Sequence, residues 1–231
     1  MLGFDPLYFI ILAPALLLSF LASFKVKSAF AKYSKVRAFS GLTGAMAARL
    51  MLQSNGVLDV QIQKVQGFLT DNYNPGNKVL SLSPDVHDGT SLASVGVACH
   101  EAGHALQHAE GYAPLGLRST LVPVVNFSSR AAIFVFIAGI MMQLQPLTLL
   151  GVILFGAGFL FAVVTLPVEW NASARAKAQV VNLGIVSPDQ EGAAGSVLNA
   201  AFLTYIAAAV SSLLTVLYYL LRSGLLNGRR D

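Results

Sequence analysis

Apolar residues in this chain gather into long runs instead of alternating at short period. Four runs approach or reach the roughly 20 residues that carry a helix across a bilayer. They cover about 7–24, 121–142, 147–167 and 202–221. Three hold no charge, and Arg130 is the one charge in the second. Residues 143–146 suffice only for a tight turn, so the second and third runs predict a hairpin. The first run has Asp5 before it instead of a basic start, and no small-x-small site follows it, so it reads as an uncleaved anchor.

Two polar segments lie between the runs, 25–120 and 168–198. In the first, Leu42, Met46, Leu50 and Met51 recur at helical spacing, which predicts a helix over 40–53 capped by Ser40 or Thr43. Residues 57–65 alternate in the manner of a strand. Residues 71–77, rich in Asn, Pro and Gly, predict a turn, and 78–82 a second short strand. Asp88-Gly89-Thr90-Ser91 offers capping chemistry for a helix over 91–110. The second segment reads as helical at its start. The pattern as a whole predicts an all-α polytopic membrane protein with a small α+β cap, in one membrane-embedded domain spanning 1–231.

Composition agrees with the pattern. The chain is 55% hydrophobic and 11% charged, with a mean hydropathy of +0.65, where a soluble domain carries about 25% charged residues. A net charge of +4 is too small and too dispersed to suggest nucleic acid. The single Cys99 can form no internal disulfide. Lys25, Lys27, Lys32, Lys35 and Arg37 follow the first run at once, and 25–118 holds nine basic residues, which predicts that this segment is cytoplasmic. Arg222, Arg229 and Arg230 weigh against that orientation.

His100-Glu101-Ala102-Gly103-His104 lies inside the helix predicted over 91–110. Residues four apart share a helical face, so both imidazoles can reach one tetrahedral zinc, and Glu101 can reach a water held there. Two helix histidines held by ordinary hydrogen bonds would give the same spacing. A catalytic zinc takes three protein ligands and an open position. Gln107 and Glu110 stand where the metzincin continuation would have Gly and His, so the third ligand comes from elsewhere. Glu169 is the best candidate. It follows the third run, the two histidines precede the second, and two crossings bring both to one side of the membrane. An acid at the boundary of an apolar stretch is a functional candidate, although a solvated interfacial carboxylate is the simpler alternative. His108 extends the histidine row but lies far along the axis, which suits an outer or surface role. His87 precedes the helix and could donate to substrate, or be an ordinary loop residue. Ser173 and Arg175 follow Glu169 at helical spacing and could orient it or a histidine.

At these residues the chain resembles the YugP-type membrane zinc metallopeptidases of bacteria. The likeness covers nearly the whole chain. It includes Lys-Tyr-Ser-Lys-Val (32–36), Ser-Gly-Leu-Thr-Gly (40–44), the segments 96–109 and 111–115, Leu-Pro-Val-Glu-Trp-Asn-Ala-Ser-Ala-Arg-Ala (166–176), and 197–201 with 203–209. The resemblance implies a zinc-dependent membrane peptidase, with His100, His104 and Glu169 as ligands and Glu101 as base. The arrangement is similar to that of HtpX-type endopeptidases. Two positions depart from these patterns. Trp170-Asn171 replaces the more usual Phe-Asp, and Ser173 stands where the HtpX-type enzymes have an acid. Both departures put a carboxylate behind the ligands on this segment in doubt and leave Asn171 as a further outer candidate.

The expected activity is hydrolysis of peptide bonds by a metal-activated water with Glu101 as general base, at one zinc ion per chain. Residues 78–82 could offer a sheet edge to an extended peptide. The expected partners are a peptide or protein substrate, which could itself be membrane-associated, the lipid bilayer, and an oligomer or larger assembly. The alternative is a membrane scaffold with a structural or degenerate zinc site, in which His108 or Cys99 would fill the fourth position. A transporter is disfavoured, because apart from Arg130 no charge lies in any run to mark a path.

Overall fold

The computed structural model describes residues 5–224, so Arg229 and Arg230 lie outside the described residues. Among the described residues, four helices are long and apolar enough to cross a membrane: Pro6–Tyr33, Ala113–Met141, Gln145–Asn182 and Pro188–Arg222. A small three-stranded sheet accompanies them. The chain is therefore an all-α membrane protein with a small α+β part. In order, the elements are α1 (Pro6–Tyr33), α2 (Gly44–Ser54), β1 (Gln61–Lys64), β2 (Asn72–Asn74), β3 (Val79–Leu82), α3 (Pro84–His87), α4 (Leu92–Ala109), α5 (Ala113–Met141), α6 (Gln145–Asn182) and α7 (Glu191–Arg222).

The spanning helices extend past their apolar runs. α1 continues through Lys25, Lys27 and Lys32 to Tyr33, and α6 carries on through Pro167 into what the sequence assigns to the cap. The chain divides into two compact units. One holds 5–21, 117–166 and 204–224, and the other holds 22–116 and 167–203.

The first unit is apolar outside as well as inside. Phe20, Phe127 and Phe134 are each about two-thirds or more exposed, as suits a surface solvated by hydrocarbon. Its helices approach closely where side chains vanish. A Cβ on Gly139 would run into the Thr148 nitrogen, and one on Gly151 would lie 2.7 Å from the Phe136 Cα, the small-residue packing expected in lipid. Phe155 stacks on Tyr219 at 4.0 Å. Asp5 is held by Arg222 at 3.2 Å and by the Tyr218 hydroxyl at 2.9 Å, so Arg222 is partnered within this unit.

The second unit has an ordinary buried core that includes Met51, Leu80, Leu82, Leu92, Val95, Cys99, Ile185 and Val197. α2 begins at Gly44 because the Thr43 hydroxyl accepts from the Met46 N–H at 3.2 Å. Ser91 caps α4 in the same way, accepting from the Ser94 N–H at 3.1 Å.

The sheet departs from the sequence reading in three respects. Only Gln61–Lys64 of the alternating stretch 57–65 forms a strand. Asn72–Asn74, inside the predicted turn, pairs antiparallel with β3, and the turn follows it. The order is β1-β3-β2, with β1 parallel to β3, so β3 is the central strand. Both of its edges are occupied, and it cannot serve as the free edge that 78–82 was expected to offer.

Candidate metal centre

α4 and α6 cross in close contact at Gly103. A Cβ there would sit 2.8 Å from the Ala172 carbonyl oxygen and 3.3 Å from its carbon. His100 and His104 flank that glycine on α4, and Glu169 stands one turn before Ala172 on α6. The missing side chain thus lets the carboxylate reach both imidazoles. Glu169 Oε2 lies 3.1 Å from His100 Nε2 and 3.5 Å from His104 Nε2. Ligand atoms of the three residues all lie within 4.8 Å of one another. Replacing Gly103 by Val should spread the helices, destabilise the protein by about 1–3 kcal/mol as overpacking does, and reduce the metal content of the purified protein. Thermal unfolding and metal analysis check both effects.

The centre is buried: Glu169 is 1% and His104 6% exposed. Its polarity is fixed by Gln107, which is wholly buried. The Gln107 amide nitrogen donates to the Val168 carbonyl at 2.8 Å and to Asn171 Oδ1 at 2.9 Å. A main-chain carbonyl can only accept, so Gln107 Oε1 must be the atom 3.0 Å from His104 Nδ1, and Nδ1 must carry the proton. In the neutral imidazole the Nε2 lone pair therefore points at the carboxylate. Two lone pairs so close repel unless positive charge lies between them. Ligands about 2.0–2.1 Å from a tetrahedral zinc stand about 3.3–3.4 Å apart. Two imidazole nitrogens and a carboxylate oxygen at the observed spacings fit that ion.

Electrostatics point the same way. Burial disfavours charge on His104, but the hydrogen bond that its protonated form donates to Glu169 and the charges of Glu101 and Glu169 outweigh burial and raise its pKa. The site draws positive charge. Burial also pushes the Glu101 carboxyl above the usual glutamate range, partly offset by His100 and His104.

The outer candidates separate into two groups. Ser173 Oγ lies 3.1 Å from His100 Nδ1. Asn171 Oδ1 accepts from Gln107 and also from Arg175 Nε at 2.7 Å. Arg175 in turn grips Glu110 with both terminal nitrogens, at 2.6 and 2.7 Å, and this contact lowers the Glu110 pKa. A continuous line of hydrogen bonds thus runs from His104 to an ion pair at the surface.

His87 and His108 stand apart from this network. His87 Nδ1 sits 2.6 Å from Asp88, and His108 Nδ1 2.8 Å from the Tyr73 hydroxyl. Cys99 is packed in the core, its thiol pushed up to about 12 by burial. Among the described residues, neither His108 nor Cys99 joins the metal-binding group.

Gln107 and Glu110 were missed as functional residues in the sequence reading. Gln107 lies three residues after His104, on the same helical face, which is the signal that marks it. Gln107→Leu keeps the shape and removes the acceptor. It should weaken zinc binding about 10–100-fold, the usual cost of losing an outer partner, as measured by competition with a chromophoric chelator.

A family model described as "Putative neutral zinc metallopeptidase" matches residues 8–224. The chain is similar to the "Putative membrane protease YugP" of Bacillus subtilis (strain 168), with 48% identity over 225 residues, covering 97% of this chain and 99% of that relative. No solved structure matches. On the extent of these matches, the chain belongs to the neutral zinc metallopeptidase family.

Proposed function

We propose that this protein is a zinc-dependent membrane endopeptidase in which His100 Nε2, His104 Nε2 and Glu169 hold one zinc ion per chain and Glu101 is the general base. The observation that carries the reading is the convergence of those three ligands with the His104 tautomer set by Gln107. When bound, zinc supplies Lewis acidity, which acidifies water and polarises a peptide carbonyl. Glu101 is half-buried beside the first histidine, and no hydrogen bond among the described residues occupies it. Its carboxylate accepts the proton of the attacking water and passes it to the leaving amine nitrogen. Ser173 and Gln107 hold the two imidazole rings in place, and the buried surroundings of Glu169 keep bulk water from competing.

An extended substrate has the outer edges of β1 and β2 available for pairing. β2 is the edge tied to α4, through Tyr73 and His108. The nine basic residues of 25–118 support a cytoplasmic site. The spans and the polar segments act together as one peptidase domain on a peptide or protein substrate.

Purified protein stripped with a strong chelator should lose cleavage of an unstructured protein substrate, and one equivalent of zinc should restore it. Cleavage that survives complete metal removal would refute the reading.

A further inference from the structure

The helix α5 carries a charge where a spanning helix can least accommodate one. Arg130 stands about 18 Å along the axis from Arg118 and about 17 Å from the helix end at Met141. With a hydrocarbon core about 30 Å deep and the 142–144 turn at one surface, Arg130 lies near the midplane. The hairpin partner offers nothing ionic at that depth. Gly151 faces Phe136 and Gly139 faces Thr148, and Leu154, Phe155 and Gly158 share a cavity with Ser128 and Ser129.

Arg130 is exposed, and among the described residues it makes no hydrogen bond or ion pair. The neighbouring hydroxyls serve their own helix: Ser128 donates to Val125 and Ser129 to Asn126. Phe127 and Phe134, on either side, are 70% and 73% exposed. Asn126, one turn away, shares a hollow with Phe127, Arg130 and Ala131.

A guanidinium facing hydrocarbon is costly, and such residues mark functional contacts with an oppositely charged group. Even fully extended, an arginine at the midplane falls short of either headgroup layer. We infer that the Asn126–Arg130 face of α5 docks a transmembrane helix of another protein that carries Asp or Glu near its own midpoint. The carboxylate would take two parallel hydrogen bonds from the guanidinium, and the Asn126 amide would add a third group at the same level. A second copy of this chain cannot be that partner. Its four apolar runs hold no acid, Asp5 is already held by Arg222 and Tyr218, and Glu169 belongs to the metal centre.

The test is independent of peptidase activity. The full-length protein is reconstituted in phosphatidylcholine vesicles with a labelled polyleucine helix of about 20 residues bearing a central Glu, and association is read by energy transfer. The Glu helix should bind about tenfold more tightly than otherwise identical Gln or Lys helices. That preference should survive R130K and vanish in R130L, which removes a charge from an apolar helix and should leave helicity by circular dichroism unchanged. No Glu preference in the wild type, or the same preference in R130L, overturns the inference. So does enrichment of phosphatidylglycerol around the wild type but not R130L, with no peptide preference, since Arg130 would then serve lipid headgroups.

Discussion

Glu101→Gln should retain zinc at wild-type stoichiometry and lose most of its hydrolytic activity, by about 10²- to 10⁴-fold, the usual contribution of a positioned proton acceptor. The amide has the size and hydrogen-bonding reach of the acid but cannot take a proton. No side chain among the described residues depends on Glu101 for a hydrogen bond, so the fold should be undisturbed. Metal content, thermal unfolding and kcat against a protein substrate, measured on one preparation, separate the outcomes. A variant that binds zinc and still cleaves at the wild-type rate would remove Glu101 from the chemistry.

Glu169→Ala should lower zinc affinity by more than about 100-fold, beyond what loss of an outer partner costs. The two imidazoles that remain belong to one helix, and the contribution of α6 to the centre is gone. The side chain is 1% exposed, so truncation also leaves a cavity. Glu169→Gln, which fills the same space without the charge, distinguishes the two effects. If both variants lose the metal, the carboxylate is what matters. Unchanged affinity in both would exclude Glu169 as a ligand.

Much of this arrangement was legible in the residues. Long uncharged runs announce spanning helices because no other local structure satisfies the backbone in hydrocarbon. Ser91 ahead of a small-residue helix announces the start of α4. The meeting of Glu169 with His100 and His104 follows from counting crossings between them, a topological inference that needs no coordinates.

The misreadings share a cause. Residues 72–74 have turn composition, yet they pair with β3, because strand formation is decided by the neighbour more than by intrinsic preference. Strand order is a long-range property, so nothing in 78–82 discloses that the strand is central. Gln107 was read only as the absence of another family's glycine. Its role depends on Val168 and Asn171, some sixty residues away, which periodicity cannot place.

Backing His104 with a neutral amide has a chemical consequence. A carboxylate in that position would push electron density through the imidazole and make it a more basic ligand. Gln107 accepts the same hydrogen bond without that push. The ion would then be held less firmly but would be a stronger acid, and the formal charges of Glu101, Glu169 and a divalent cation would sum to nothing. Such a centre would exchange its metal more readily than one backed by a carboxylate.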